Sequence, residues 1–275
     1  MGKIQNRETE QLTFLLPDGS RISARRGTTG RQIAEKIGGS LLKQALGVKL
    51  NGKVLDLDRP LEEGGELSII TAVPPGVSED DIDHLNRDAL ELIRHSAAHV
   101  MAEAILRLFP EAKLVYGPPV ENGFYYDIDL DRPLSSEDFP AIEAEMKKII
   151  SEDKPFKRIE LSREEAEKRA ADNPYKLENL RAIGPDEIIS FYVTGEPGKD
   201  FEDLCKGPHL PSTGKIGAFK LMQVSGAYLH GDETKKQLQR VYGTAWPSQK
   251  ALEAYLERLR LAQERDHRKL GQELE

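Results

Sequence analysis

The chain has 275 residues, of which 31% are charged and 38% hydrophobic, and its formal net charge is −8. This length predicts two domains that can each bury a core, and no apolar run approaches the ~20 residues that span a membrane. The single cysteine excludes internal disulfides and, with no secretory signal at the start, indicates the cytoplasm.

Residues 1–73 are predicted to form a small ubiquitin-like β-grasp domain. Asn51-Gly52 is a strong signal for a type I′ hairpin turn. Thr28 or Thr29 is a suitable cap for a helix that ends at Gly38-Gly39. Strands are predicted at 11–16, 21–24, 48–50, 54–55 and 67–71. Two strands, one helix and three more strands in a short segment are typical of the β-grasp order.

A proline-rich linker at 73–77, Val-Pro-Pro-Gly-Val, marks the boundary to a larger α+β domain over 74–247. Ser78 or Asp80 is predicted to cap a long helix that runs toward Phe109. Further strands are predicted at 113–116, 124–130, 187–193, 218–224 and 238–242, and helices at 136–151 and 163–171. A last helix begins at Ser248, so 248–275 is predicted to be a linker helix.

Two short stretches carry residue types that suit a reactive site. His95 and His99 are four apart, so they lie on one face of the predicted helix. Cys205 and His209 have the same spacing, but the intervening Gly207-Pro208 indicates a tight loop. If the fold brings the two pairs together, the four side chains suit a zinc site. They equally suit a cleft that handles a proton and a carbonyl group.

At these motifs the sequence strongly resembles the N-terminal half of bacterial-type threonyl-tRNA synthetase. The resemblance covers nearly the whole chain and rests on HSAAH, ENGFYYDIDL, DLCKGPHL, FKLMQVSGAYLHGD, QRVYGTAW and RDHRKLG. It implies that 1–73 is a TGS domain, that 74–247 is an editing domain and that 248–275 leads toward an aminoacylation core. One departure is Leu229-His230, where many family members have Trp-Arg.

The resemblance implies hydrolysis of the ester in mischarged Ser-tRNA(Thr), which is a proofreading step in translation. A core pocket for threonine cannot reject serine well, because one methyl group provides only about 1–3 kcal/mol of discrimination. The matching catalytic residues are His95, His99, Lys176, Cys205 and His209, and the matching substrate-binding residues are Tyr126 and Asp203. A neutral histidine can hold the attacking water, and Lys176 can stabilise the oxyanion or the leaving ribose oxygen. Cys205 could be a nucleophile, but direct attack by water needs no acyl intermediate.

The expected partner is tRNA(Thr), with no membrane association, and a homodimer is expected only through the aminoacylation core. ATP, magnesium and the core zinc belong to that core, which lies outside this sequence, so threonine activation is not expected. Zinc at His95, His99, Cys205 and His209 stays an option. The alternatives are a freestanding trans-editing deacylase and a non-catalytic tRNA-binding module.

Overall fold

The structure, a computed structural model, describes the backbone of residues 10–273 and the side chains of residues 10–266. The fold is mixed α+β, as the sequence predicts. Its helices are α1 (Gly30–Ile37), α2 (Gly39–Gln44), α3 (Arg87–Leu108), α4 (Phe139–Ser151), α5 (Arg163–Arg169), α6 (Pro174–Ala182) and α7 (Gln249–Glu273). Its strands are β1 (Gln11–Leu15), β2 (Arg21–Arg25), β3 (Gly47–Leu50), β4 (Lys53–Leu55), β5 (Gly65–Ile70), β6 (Lys113–Tyr116), β7 (Pro119–Val120), β8 (Gly123–Asp129), β9 (Phe156–Leu161), β10 (Ile189–Thr194), β11 (Phe201–Leu204), β12 (Ala218–Tyr228) and β13 (Gln237–Trp246).

The N-terminal unit is a five-stranded sheet in the order β2-β1-β5-β3-β4, and Ile33 of α1 is buried among its apolar side chains. Thr29 caps α1 through a capping box with Gln32. Asn51 and Gly52 both have positive φ, at 49° and 82°, as a type I′ turn requires. The predicted β-grasp domain is confirmed.

This unit shares a hydrophobic core with the remainder of the chain. Leu46 and Ile70 are buried in the same cluster as Leu92 of α3. At the edge of that cluster, Lys49 Nζ lies 2.8 Å from Asp88 Oδ2. Because burial of apolar surface is the main stabilising term in packing, the N-terminal unit is held against α3 rather than tethered to it.

Helix α3 lies at the centre of the larger domain and is buried over most of its length. The predicted start at Ser78 or Asp80 is wrong, because α3 begins at Arg87 and Asn86 caps its first turn. The residues between form turns whose apolar side chains pack around Trp246. An acidic first turn would favour a longer helix. The burial of these apolar side chains around Trp246 stabilises the turns more.

A curved sheet in the order β12-β13-β8-β6 packs on α3, and α4 packs on α3 as well. The strand predicted at 124–130 is confirmed by β8, and Phe124, Tyr126 and Ile128 on one face of it are at most 1% exposed. Strand β7 pairs with the start of β8. The buried face of β8 therefore points Tyr126 toward the interior.

A third sheet, in the order β11-β10-β9, packs with α5 and α6 around Leu180 and Phe191. Strands β9 and β11 and helix α6 are absent from the sequence prediction. Asn173 caps α6 and also donates from Nδ2 to the Leu114 carbonyl oxygen at 2.8 Å. This double role fixes α6 beside β6, so that Lys176 in its first turn is buried.

The last helix, α7, begins after Ser248, whose Oγ accepts from the Ala251 N–H at 3.3 Å, as predicted. Its first turns cover Trp246 and Leu85. Within residues 10–273, every helix is too short or too polar to span a membrane.

Candidate active site

A cavity of about 640 Å³ opens between α3, β8, α6 and the loop that follows β11. Its lining includes most of the residues that the sequence predicts for the site: His95, His99, Tyr126, Lys176, Asp203 and Cys205. His209 is fully buried behind Cys205 and is not part of the lining. The structure therefore brings all seven predicted residues together, six of them at the cavity surface.

Helix α3 supplies His95 and His99 one turn apart, with ring centroids 5.4 Å apart in an edge-on arrangement. The neighbouring Ala98 and Ala102 are fully buried, and their small side chains let other elements approach the helix closely. The His95 Nδ1 lies 3.0 Å from the Pro208 carbonyl oxygen. This bond fixes the ring relative to the cysteine loop.

The cysteine loop is a tight turn, as predicted, and Gly207 is at its centre. Gly207 has φ of 73°, and its peptide bond to Pro208 is cis. A Cβ atom at this position would lie 1.9 Å from the Tyr192 hydroxyl oxygen, so only glycine fits. The turn places Cys205 Sγ 3.3 Å from His95 Nε2 and 3.4 Å from His209 Nε2.

The hydrogen bonds around Cys205 indicate which atoms carry the protons of His95, His209 and the thiol. Because the Pro208 oxygen can only accept, His95 carries its proton on Nδ1, and its Nε2 accepts from the Cys205 thiol. Ser96 Oγ accepts from the Leu210 N–H at 3.0 Å and lies 3.0 Å from His209 Nδ1. We assign the Ser96 hydroxyl proton to this nitrogen, because it has no other acceptor among the described residues. His209 therefore carries its proton on Nε2 and donates it to Cys205 Sγ.

Burial keeps this cluster neutral. It lowers the pKa of His95, lowers that of His99 to about 3 and lowers that of His209 well below the ordinary value. Burial also raises the pKa of the Cys205 thiol to about 12. In a site of low dielectric constant the charged form of each group is disfavoured. At neutral pH the cluster therefore consists of three imidazoles and a thiol.

A charged group lies beside the neutral cluster. Lys176 Nζ is 2.6 Å from Asp203 Oδ1 and donates to the Tyr126 hydroxyl at 2.9 Å, while that hydroxyl donates to Asp203 Oδ2. Burial alone would raise the pKa of Asp203, but Lys176 and these hydrogen bonds hold it below its ordinary value. Burial, followed by the charge of Asp203, raises the pKa of Tyr126. The result is a buried ion pair with a neutral phenol.

Among the described residues, the side chain of His99 makes no hydrogen bond, and its Nδ1 is fully enclosed. His99 also lines the cavity, so a ligand or a water there can reach its ring. Ser96, which contacts His209, is a residue of the site that the sequence analysis missed. Its place inside the HSAAH motif was the available signal, because a serine between two histidines on a helix can reach a neighbouring imidazole.

The four donors fit a zinc ion in their chemistry and spacing. One ligand atom from each of His95, His99, Cys205 and His209 lies within 4.8 Å of the others. Zinc bonds of about 2.0–2.3 Å imply ligand separations of about 3.3–3.8 Å in a tetrahedron. The distances from Cys205 Sγ to His95 and His209, 3.3 and 3.4 Å, are close to this range. The unpartnered ring nitrogen of His99 is also consistent with a metal ligand.

Comparison with known proteins now defines the class of the chain. Residues 13–71 match the TGS domain, and residues 189–242 match the family described as "Threonyl and Alanyl tRNA synthetase second additional domain". The second of these is the editing domain of those synthetases, and it contains the predicted residues Asp203, Cys205 and His209.

The particular relatives are threonine–tRNA ligases. The chain is 49% identical to that of Rubrobacter xylanophilus over 262 residues, which cover 95% of this chain and 38% of the relative. It is 48% identical to that of Oceanobacillus iheyensis, with 96% and 38% covered, and 47% identical to that of Anoxybacillus flavithermus, with 96% and 39% covered. The chain therefore corresponds to the N-terminal region of a threonine–tRNA ligase, with its TGS and editing domains, and spans less than two fifths of the length of these relatives.

Proposed function

We propose that the cavity hydrolyses the ester bond of Ser-tRNA(Thr), as a cytoplasmic proofreading activity. The observation that carries the proposal is that one cavity presents a buried ammonium–carboxylate pair beside neutral imidazoles. Ester hydrolysis needs a positioned water and a donor for the developing oxyanion. Lys176 and the neutral imidazoles lie in the same space and could meet these two needs, and Asp203, Cys205 and His209 belong to the segment that matches a synthetase editing domain.

Each charged group has a role that its position allows. Lys176 can donate to the tetrahedral oxyanion or to the leaving ribose oxygen, because its ammonium is held at the cavity surface by Asp203 and Tyr126. Asp203 can bind the ammonium of the seryl group, since it bonds Lys176 and Tyr126 rather than a histidine. His99 is neutral and can orient the attacking water.

Cys205 is a poor candidate for the nucleophile. Its thiol pKa of about 12 leaves almost no thiolate at neutral pH, and thiolate is the reactive form. His95 does accept from the thiol, but the pKa of that imidazole is itself lowered by burial. These features support direct attack by water, in which Cys205 shapes the cavity.

The test is deacylation of Ser-tRNA(Thr) and Thr-tRNA(Thr) by the full 275-residue chain. We expect the seryl ester to be cleaved faster, and Lys176→Ala to lower that rate about 100-fold, the effect of removing one oxyanion donor. Lys206→Ala is the matched control, because Lys206 borders the same cavity but is exposed and pairs with Glu187.

Cleavage of neither ester above the buffer rate would overturn the hydrolase and would leave the non-catalytic tRNA-binding module, which tRNA binding by the chain would then identify. Full activity of His99→Ala would remove His99 from the proposed site. A Lys206→Ala rate as low as that of Lys176→Ala would show that the lysine effect is not specific to the buried pair.

Zinc is a second part of the proposal. His95, His99, Cys205 and His209 would hold it as four protein ligands, and in such a closed site the metal would fix the histidines and the cysteine loop. Metal analysis of protein purified without chelator tests this directly. One zinc per chain in the wild type and less in Cys205→Ser is the expected result, and a metal-free wild type with full deacylase activity would exclude a zinc that the activity requires.

A further inference from the structure

A carboxylate of the N-terminal β-grasp unit reaches the back of the cleft. Asp56, the residue after β4, accepts from the Tyr192 hydroxyl at 2.7 Å and from the backbone N–H of His209 at 2.8 Å. These contacts join parts of the chain 136 and 153 residues apart. Asp56 is not among the residues that line the cavity, so it acts from behind the loop.

Both groups that Asp56 binds support the cysteine loop. The Tyr192 hydroxyl lies under Gly207, where no side chain fits, and the Tyr192 ring is 4.5 Å from the His209 ring between centroids. The backbone of His209 continues directly from Pro208, whose oxygen holds His95. Movement of this support would therefore move the acceptor of His95 and the donor to Cys205 together.

Other contacts already hold the N-terminal unit in place. Leu46 and Ile70 share a core with Leu92, and Lys49 pairs with Asp88. Asp56 has no ion pair within 4.0 Å among the described residues, and its side-chain hydrogen bonds go to Tyr192 and His209 alone. Burying a carboxylate is costly, and in the described part of the chain this one forms hydrogen bonds only with the cysteine loop and the tyrosine that supports it. Its presence is therefore better explained by a role in holding the loop than by a role in docking the N-terminal unit.

We propose that Asp56 is a positioning residue for the cleft, through which the N-terminal unit sets the geometry of the loop from Cys205 to His209. This inference rests on the proposed hydrolase function. A charge-assisted bond to a backbone N–H is directional and stronger than a neutral one, and small displacements of reacting groups cost large factors in rate. Asp56 thus affects turnover without contacting the substrate.

The experiment compares Asp56→Ala, Asp56→Asn and Asp58→Ala in the full chain, each after a check of thermal unfolding. Asp58 is two residues away and forms an exposed ion pair with Arg31, so it controls for loss of an acidic side chain in the same segment. We expect Asp56→Ala to lower kcat for Ser-tRNA(Thr) about tenfold or more, with KM changed less than about twofold. Asn can still accept from the His209 N–H, so Asp56→Asn should fall between wild type and alanine. Asp58→Ala should match wild type.

A second measurement is independent of catalysis. Imidazole ¹⁵N NMR spectra report the tautomers of His95 and His209, and Asp56→Ala should shift both sets of signals while Asp58→Ala leaves them unchanged. An Asp56→Ala chain with wild-type kcat and unshifted imidazole signals would overturn the proposal, as would an equal loss of kcat in Asp58→Ala. If the wild type cleaves neither ester, the hydrolase proposal fails. In that case only the imidazole signals test whether Asp56 positions the loop. Shifted signals in Asp56→Ala would support that role, and unshifted signals would refute it.

Discussion

Ser96 connects the helix that carries the histidines to the loop that carries the cysteine. Its hydroxyl accepts from the Leu210 N–H and donates to His209, and Ser96 is fully buried. In Ser96→Ala the Leu210 N–H and the His209 Nδ1 would both be left without a hydrogen bond. We expect a loss of about 2 kcal/mol in the free energy of unfolding, because unsatisfied buried groups bear their desolvation cost, and we expect the His209 Nδ1 signal to shift, because that nitrogen loses its hydrogen-bond donor.

Urea unfolding measures the stability change, and imidazole ¹⁵N spectra report the loss of the hydrogen bond at His209 Nδ1. Ser151→Ala is the control, because the Ser151 hydroxyl is exposed and, among the described residues, donates only to the Lys148 carbonyl oxygen. It should stay within about 0.5 kcal/mol of wild type. An unchanged His209 spectrum in Ser96→Ala would contradict the proton assignment.

The three buried histidines predict a fold that loses stability in mild acid. Their folded pKa values are lowered, so the unfolded chain takes up protons first as pH falls below about 6.5. Each contributes a loss of up to about 1.4 kcal/mol per pH unit below that value, until its folded pKa is reached. For His99 this loss of stability continues down to pH about 3, which is the pKa of His99 in the folded chain. Asp203, whose pKa is lowered, adds a further loss only below about 4.

Urea unfolding at pH 7.5, 6.5 and 5.5, with EDTA present, measures this dependence. His99→Asn should reduce the slope between pH 6.5 and 5.5 by about one third, since it removes one of three such groups. His84→Gln should leave the slope at least as steep, because Asp81 raises the pKa of the exposed His84. Stability that is flat between pH 7.5 and 5.5 would refute the neutral cluster.

At the scale of elements, the cysteine loop depends on glycine at one position. In Gly207→Ala the new Cβ would overlap the Tyr192 hydroxyl, and the residue would keep a φ of 73°. We expect a loss of about 3 kcal/mol in the free energy of unfolding, together with loss of deacylase activity.

Gly198→Ala separates backbone strain from the steric clash. Gly198 has a similar φ of 76°, but among the described residues a Cβ there would have no heavy atom within 4 Å beyond Gly198 and its two chain neighbours. It should cost only about 1 kcal/mol and should leave deacylation intact. Equal effects of the two substitutions would show that Tyr192 does not limit the loop.

Elements with strong local signals were predictable from the sequence. The Asn51-Gly52 turn and the Thr29 cap of α1 are confirmed. Strand β9 was missed because its charged residues Lys157, Arg158 and Glu160 interrupt an apolar pattern. Helix α6 was missed because it is short and starts with Asn173-Pro174, which also reads as a turn. These elements form because the rest of the chain packs on them.

At the scale of the whole molecule, the shared core predicts that the two domains are energetically coupled. Leu92→Ala should cost about 3 kcal/mol, as buried leucine truncations do. The loss should appear both in Trp246 fluorescence and in amide exchange of β3 and β5. Leu108→Ala on the same helix is the control, since Leu108 is 37% exposed. Faster exchange in β3 and β5 with unchanged Trp246 unfolding would contradict the coupling.

The site shows where sequence reasoning reaches its limit. Spacing brought His95, His99, Cys205 and His209 into consideration, whereas Lys176 entered only through the family resemblance. The contact of Asp56 with His209 had no local signal, because it depends on how one domain docks on another. The division at 1–73, 74–247 and 248–275 stays a prediction, and the core that spans Leu46 and Leu92 crosses its first boundary.

The hydrogen bonds that join Cys205, His95, His209 and Ser96 predict how zinc binding depends on pH. Zinc requires thiolate. The Cys205 thiol instead donates its proton to His95 Nε2, and burial raises the pKa of the thiol to about 12. His209 can free Nε2 by moving its proton to Nδ1, with Ser96 reversing its direction. Zinc loading would therefore release one proton in total, and the apparent affinity should rise about tenfold per pH unit. Calorimetric titration in two buffers of different ionisation enthalpy would count that proton.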